Sequence, residues 1–430
     1  MPGDVRVQRT YLTLTLLATL AQSLIWGVNT LFLLDAGLTN TQAFSANALF
    51  SLGQLVFEVP TGVVADTRGR KISYLWGAAT LLLSTLLYLL MWWVAAPFWG
   101  WAIASIVLGL GFTFFSGAVE AWLVDALSAN DFAGDLGDVF GRGQAVSGVA
   151  MLTGSVAGGF IAQASSLGVP YVLRAVLLGV TFVVAVVFMR DEGFTPRRAA
   201  SVADEVRATL RVSVDHGWRN RPVRWLMLTS PFISGVMFYA FYAMQPYLLE
   251  LFGDAEAFGI AGLASAIIAG AQIVGGLMVP AVRRRVRRRT NLLVFALVVS
   301  VGALVAVGLT TEFWVAVALL VIWGMVFSLS MPVRQAFSNG CIPSSQRATL
   351  LSFDALLGSG GGTIAQPALG RVADVAGYGP SYLVAAGVQA LALPFLLLAR
   401  REEVAADTAP PSPPATPVDE VVSRCSGSST

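Results

Sequence analysis

Residues 55–94 read LVFEVPTGVVADTRGRKISYLWGAATLLLSTLLYLLMWWV. An apolar run stops near Ala65. Asp66, Arg68, Arg70 and Lys71 then crowd around Gly69, and a second apolar run begins at once and continues to Val94. A helix of about 20 such residues crosses the roughly 30 Å hydrocarbon core of a bilayer. Hydrocarbon offers no partner to backbone N–H and C=O groups, so a spanning segment must be a helix or part of a closed barrel. The runs are long and do not alternate, which selects helices. The stretch therefore reads as two membrane spans joined by a short charged turn. Gly62 is expected to let another helix approach closely, and Gly69 to permit the turn.

The same reading extends along the chain. Apolar spans are expected near 10–33, 43–65, 72–94, 98–126, 140–163, 168–189, 223–249, 257–281, 290–310, 312–337, 348–372 and 378–399. Arg6 and Arg9 precede the first run, which is too long for a signal-peptide core and is followed by many like it, so it is a first span. Composition agrees: of 430 residues, 56% are hydrophobic and only 12% charged, and mean hydropathy is +0.72. The charged share is about half that of a soluble domain. The expected class is an all-α integral membrane protein with twelve transmembrane helices in two six-helix bundles.

Arginines and lysine collect on alternate loops. Arg68, Arg70 and Lys71 lie on one, Arg190 through Arg224 on another, and Arg283–Arg285 with Arg287–Arg289 on a third. Arg347, Arg400 and Arg401 follow on the same side. Glu250, Asp254, Glu256 and Glu312 fall on the other side. The positive-inside rule then puts both termini in the cytoplasm of a multi-pass protein of the cytoplasmic (inner) membrane. Arg371 breaks the pattern, and Arg174 lies a little inside the outer end of its helix.

The organisation expected is a bundle over 1–190, a central cytoplasmic segment over 191–222, a second bundle over 223–402 and a disordered tail over 403–430. Val202, Val206, Leu210, Val214 and Trp218 recur every four residues and predict a short amphipathic helix on the inner membrane surface. The tail, with its APPSPPATP run, cannot build a core. Gly62 and Gly276, each at the end of a span before a basic loop, mark the halves as a repeat.

The run Gly62-Val63-Val64-Ala65-Asp66-Thr67-Arg68-Gly69-Arg70-Lys71 resembles the signature loop of the major facilitator superfamily, G-x-x-x-D-x-x-G-R-[RK], with Thr67 where a basic residue is common. Glu58-Val59-Pro60-Thr61-Gly62 resembles the E-[VI]-P-T-G variant of many bacterial permeases of the drug and solute efflux type. Gln245-Pro246-Tyr247-Leu248 and Pro343-Ser344-Ser345-Gln346-Arg347-Ala348-Thr349 are supporting likenesses. The resemblance covers nearly the whole chain except the tail. It implies a latch on the inner face in which Asp66 and Arg70 act together with Asp125 as acidic partner, with Gly62, Gly69 and Lys71 completing the loop. Gly154-Ser155-Val156-Ala157-Gly158-Gly159 resembles the antiporter motif G-P-x-x-G-G, with Ser155 in place of proline; close helix packing through Gly154, Gly158 and Gly159 explains the same residues. The arginine of many proton antiporters is absent from residues 103–112.

Charges inside spans are costly, about 2.5–3.5 kcal/mol each on insertion scales, and usually face a cavity. Glu58, Glu120, Asp354, Arg142 and Arg334 are thus candidates for coupling, with structural ion pairs as the alternative. Gln22, Trp26, Asn29, Tyr239, Tyr242 and Gln245 are candidates for a substrate cavity, with packing as the alternative.

The function expected is proton-coupled export of a small hydrophobic or amphipathic molecule by alternating access; nutrient uptake, or a non-transporting sensor on the same scaffold, are the alternatives. Lys71 is the only lysine, so no ATP-binding G-x-x-x-x-G-K-[ST] loop exists. Gly358–Thr363 is glycine-rich but lacks that lysine. His216 is the only histidine, and Cys341 and Cys425 are far apart, so neither an enzyme site nor a metal site is indicated. No cofactor and no nucleic acid is expected. The expected partners are a small-molecule substrate, the proton and the lipid bilayer, and the protein is expected to be a monomer.

Overall fold

The structure, a computed structural model, describes residues 3–115, 117–196, 218, 220–342 and 347–408. All regular structure among them is helical. In the first half, α1 (Gly3–Trp26) and α2 (Asn29–Asp35) are followed by α3 (Asn40–Arg68), α4 (Arg70–Trp93) and α5 (Phe98–Phe115). Then come α6 (Ala118–Ala129), α7 (Leu136–Ala164) and α8 (Gly168–Phe188). The second half contains α9 (Arg221–Met227), α10 (Ser230–Phe252), α11 (Phe258–Leu277), α12 (Val279–Arg285), α13 (Arg289–Leu309) and α14 (Phe313–Cys341). It closes with α15 (Arg347–Ala376), α16 (Tyr378–Ala390), α17 (Leu393–Arg401) and α18 (Ala405–Thr408).

Ten helical segments are long and apolar enough to cross a membrane, eleven if α1 and α2, bent by 49° at their break, form one span. The remaining helix of spanning length, α15, has 30 residues. Asp354, Arg371, Asp374 and the run Gly358–Thr363 make it too polar to qualify by apolarity. It nevertheless packs between α3 and α10.

Helix boundaries follow local chemistry. Thr39 caps α3 by accepting from the Gln42 N–H, while the Gln42 side chain accepts from the Thr39 N–H, a reciprocal capping box. Gly69, at φ 114°, ends α3 and starts α4 without a linker. Proline at the first turn starts α9, α10, α12 and α17.

Contacts sort the helices into two sets. In the first, α1 packs on α7 and α8, α3 on α5, and α4 on α5 and α8. In the second, α10 packs on α15 and α16, α11 on α14, and α13 on α14 and α16. The sets meet mainly where α3 crosses α15, α7 crosses α11 and α2 touches α10. One end of the molecule carries the basic loops at 66–71 and 283–289. At the other end Trp93, Trp99 and Trp314 are 82%, 73% and 73% exposed, where indole rings suit a membrane interface.

Of the expected amphipathic stripe only Trp218 is described, and it is exposed. Val202 to Val214, His216 and Pro343–Gln346 lie outside the described residues. Structure continues into the expected tail: α18 follows residue 403 and Asp407 is buried. Residues 409–430 lie outside the described residues.

Candidate functional site

A cavity of about 380 Å³ lies between the two sets of helices. Gln22 and Trp26 on α1, Asn29 on α2 and Tyr242 on α10, four of the residues the sequence reading named as cavity candidates, line it. Asn47 and Gln54 on α3, Arg174 on α8 and Gln272 on α11 line it as well. Its walls are otherwise apolar and mostly aromatic: Trp26 meets Phe241 edge-on at 5.3 Å, and Phe50 meets Phe112 at 5.2 Å. Helix α3 supplies one stripe of this wall, because Asn47, Phe50 and Gln54 are spaced by three and four residues and share a face.

Tyr239 and Gln245 face elsewhere. The Tyr239 hydroxyl donates to Ser381 at 2.5 Å inside the second half. Gln245 is 1% exposed. Its carbonyl accepts from the Thr30 N–H at 3.0 Å and its amide donates to the Trp26 carbonyl at 2.8 Å. One side chain from α10 thereby serves both sides of the α1–α2 break, whose backbone groups lack helical partners.

The cavity is closed toward the tryptophan end. The Asp374 carboxylate on α15 accepts from the backbone N–H groups of Asn40 and Thr41, at 2.8 and 2.9 Å, and from the Thr41 hydroxyl at 2.5 Å. It thus caps the first turn of α3 with a negative charge. Gln163 on α7 accepts from the Gly259 N–H at 2.9 Å and caps α11 in the same way. Each half caps a helix of the other. Burial alone would raise the Asp374 carboxyl, but the hydrogen bonds from Thr41 and Asn40 outweigh it and hold the group below its ordinary value.

Of the glycines of the 154–159 run, Gly154 and Gly158 pack within the first half and Gly159 belongs to this closure. A Cβ on Gly154 would strike the Ser23 side chain, and one on Gly158 the Leu24 carbonyl, so α7 lies directly on α1. A Cβ on Gly159 would come within 2.9 Å of the Gly262 Cα, and one on Gly27 would do the same. The α1–α2 break and α7 both press against α11 at Gly262, where the Phe258 and Ser155 carbonyls also lie close.

The basic end is organised within each half. Arg70 pairs with Asp66 at 2.7 Å and approaches Asp125 at 3.8 Å, an ion-pair distance and not a hydrogen bond. The Lys71 N–H donates to Asp191 at 2.8 Å, and the Lys71 ammonium donates to the Val186 carbonyl at 2.8 Å. Asp191, just past α8, caps α4, and a Cβ on Gly69 would run into it. Burial pushes the Asp191 carboxyl above its ordinary value, against the pull of Lys71 and Arg70. Its neighbour Glu192 is held low, first by the Asn130 amide and then by Arg6, which pairs with it at 2.6 Å. Gly62 has nothing within 4 Å of where a Cβ would sit, and Gly276 only the Ser328 hydroxyl at 3.6 Å. The close approach expected at Gly62 is absent here, because the helices of the second half stand off from it.

Arg334 and Asp354 form a pair at 2.8 Å, and Arg334 also donates to Thr229 at 2.6 Å, Ser230 at 2.5 Å and the Leu226 carbonyl at 2.9 Å. Asp354 accepts from Ser230 as well. Arg334 stands 214 residues after Glu120, and Asp354 212 after Arg142. The repeat thus carries the same two positions with charges reversed. Glu58, Glu120 and Arg142 are exposed, and no ion pair joins Glu120 to Arg142 among the described residues. No group of three or more possible metal-ligating side chains occurs among the described residues.

Sequence reasoning missed Asn47, Gln54 and Gln272, ordinary amides in apolar runs. It noted Arg174 only as an arginine a little inside the outer end of its helix.

Residues 11–365 match the family described as Major Facilitator Superfamily. No curated protein matches the sequence. Among solved structures the chain is similar to the nucleoside transporter NupG, with a TM-score of 0.73 at 10% identity over 93% of this chain and 99% of that one. It is similar to the POT family transporter PepTSo, with a TM-score of 0.70 at 12% identity over 94% and 98%. It is also similar to a bacterial homolog of the human lysosomal transporter Spinster, inward-facing and unoccupied, with a TM-score of 0.68 at 14% identity over 96% and 100%. At these identities the likeness shows the fold alone.

Proposed function

Since the chain belongs to the major facilitator superfamily and is a multi-pass membrane transporter rather than an enzyme, we propose that it exports a small amphipathic or hydrophobic molecule in exchange for protons by alternating access. The observation that carries this reading is the asymmetry of the closure. Caps and glycine crossings join the halves at the tryptophan end, while Gly62 and Gly276 stand uncovered at the basic end. Positive-inside orientation makes the basic end cytoplasmic, so this is an inward-facing state. In this reading α15 is the twelfth span, both termini are cytoplasmic, and the protein works as a monomer in the cytoplasmic membrane.

The Asp66–Arg70–Asp125 cluster is the latch. When the basic end closes, Gly62 and Gly276 receive the opposite half, and Glu120 and Arg142 come to face Arg334 and Asp354 with complementary charge. Glu58, on the same helix as the latch, is the proton-carrying candidate.

The test is accumulation of dyes and antibiotics in an efflux-deficient bacterial host, with and without a protonophore. Wild type lowers accumulation, the protonophore restores it, and Asp66→Asn matches empty vector at equal membrane expression. Wild-type accumulation equal to empty vector across the panel sinks the export reading, and normal export by Asp66→Asn sinks the latch. Glu58→Gln is expected to flatten the dependence of export on external pH; an unchanged profile removes Glu58 from coupling.

A further inference from the structure

Arg174 is 2% exposed, lies within a span and lines the central cavity. Its Nε donates to the Thr85 hydroxyl at 3.0 Å, but its Nη2 is buried with no hydrogen-bond partner. No described carboxylate pairs with it. No other residue lining the cavity carries a charge. A guanidinium in hydrocarbon normally has an anion beside it, because an uncompensated buried charge is strongly unfavourable.

A second unpaired donor belongs to a residue that lines the same space. The Tyr171 hydroxyl donates to Asn29 Oδ1 at 2.8 Å, and Asn29 Nδ2 donates to Asn47 Oδ1 at 3.0 Å. This fixes the direction of the chain, and it ends on Asn47 Nδ2, which is buried without a partner. Asn47 also lines the cavity. Two residues that line the cavity, one cationic and one neutral, thus each keep an unfilled donor, and the lining offers no carboxylate.

We propose that the cavity binds an organic monoanion, a carboxylate held by Arg174 with Asn47 and carrying a flat apolar or aromatic body. The single guanidinium neutralises one negative charge, so a dianion would bring an uncompensated charge into apolar surroundings. The body follows from the walls, where Trp26, Phe50, Phe112, Phe241 and Tyr242 present ring edges and faces. A volume of about 380 Å³ is within the range of small-molecule sites. The inference deepens the transport reading by naming the class of substrate, and it rests on that reading for the claim that the cavity is the transport site.

The test is binding to the purified full-length protein in detergent, read by tryptophan fluorescence and by shift in Tm. The probes are 2-naphthoate, its neutral isostere 2-naphthamide, inorganic phosphate and chloride. Wild type should bind naphthoate at least about tenfold more tightly than naphthamide, the loss that removal of one charged hydrogen bond implies. Arg174→Gln should erase that preference, and Arg174→Lys should keep part of it. The comparison of acid and amide on wild type needs no variant, so it stands even if Arg174→Gln fails to fold. Equal affinity for acid and amide overturns the proposal, as does unchanged naphthoate binding in a folded Arg174→Gln protein. Phosphate or chloride competing with naphthoate at equal concentration overturns the organic body and leaves an inorganic anion site. Acid-selective binding without any flux in the export assay would sink the transport reading and leave this site standing.

Discussion

The loops at 66–71 and 283–289 occupy equivalent places in the two halves, and both open a helix that needs a cap. In the first half the carboxylate comes from Asp191, just past α8; in the second it comes from Asp407, in α18. The two stand 216 residues apart, close to the offsets of the other repeated positions. What recurs is the unsatisfied N–H group and the acid that meets it. What differs is the setting. Arg70 pairs with Asp66 and approaches Asp125. Arg283 instead donates to the carbonyls of Val286 and Arg287, and Arg288 reaches the exposed Glu403 at 3.7 Å. Asp407 is 3% exposed and takes two bonds from Thr290, at 2.7 and 2.8 Å. The first loop is held by side-chain charges that can exchange partners, the second by backbone and a buried cap. In the proposed latch the first would move and the second would hold.

The largest effect that would break this contrast is on turnover. Gly62→Leu meets nothing in the present structure but blocks the approach of the opposite half. Export should fall more than about tenfold while Tm changes by less than about 1 kcal/mol equivalent, as surface substitutions usually do. Gly276→Leu, at the second loop, should behave alike; if only one of them stops export, the two halves do not close symmetrically there.

Next in size is folding. Asp407→Ala removes two charge-assisted bonds and should cost about 1.5–3 kcal/mol, read as a lower Tm in detergent. Truncation after residue 403 should match it, and truncation after 408 should not. Asp191→Asn keeps an oxygen for the Lys71 N–H. The raised Asp191 carboxyl favours the fold most below its ordinary value of 3.8 and loses that contribution as pH rises through the raised value. The variant should therefore gain Tm relative to wild type at neutral pH and lose the gain in acid. A variant that loses Tm at pH 7 would mean that the charge itself holds α4.

The smallest effect is at the tryptophan end, where one cap is charged and the other neutral. An exposed carboxylate at a helix N-terminus contributes about 0.3–1 kcal/mol. Asp374→Asn should shift the balance toward opening at that end by up to about fivefold, measured as labelling of a cysteine placed in the cavity by a membrane-impermeant thiol reagent. The lowered Asp374 carboxyl supports closure above its ordinary value of 3.8, and that support is lost as pH falls through the lowered value. Labelling that ignores both the substitution and acid would remove Asp374 from the gate.

The spans and the basic turns were legible because each is a local pattern of apolar length and charge. Close packing at Gly154, Gly158 and Gly159 was legible too, since small residues at helical spacing mean close contact. Gln245 and Tyr239 were not separable from Tyr242 by sequence, because the helix break that Gln245 serves lies more than two hundred residues away. Asp407 was hidden by its proline-rich surroundings, where composition outweighs one buried acid. Arg174 did leave a trace, as an arginine that the orientation rule does not explain. The approach expected at Gly62 belongs to a contact between halves, and a single conformation displays it only when that end is closed.

The Lys71 ammonium, tied to the Val186 carbonyl beside the Asp66–Arg70 pair, has a practical consequence. Since no other lysine exists in the chain, an amine-reactive fluorophore has one side-chain target, and the α-amino group can be left unreactive by choice of pH or by acetylation. Natural sequence thus supplies a single attachment point at the turn proposed as the latch. Conjugation there would test, by an optical readout and without any engineered cysteine, whether that turn changes its surroundings.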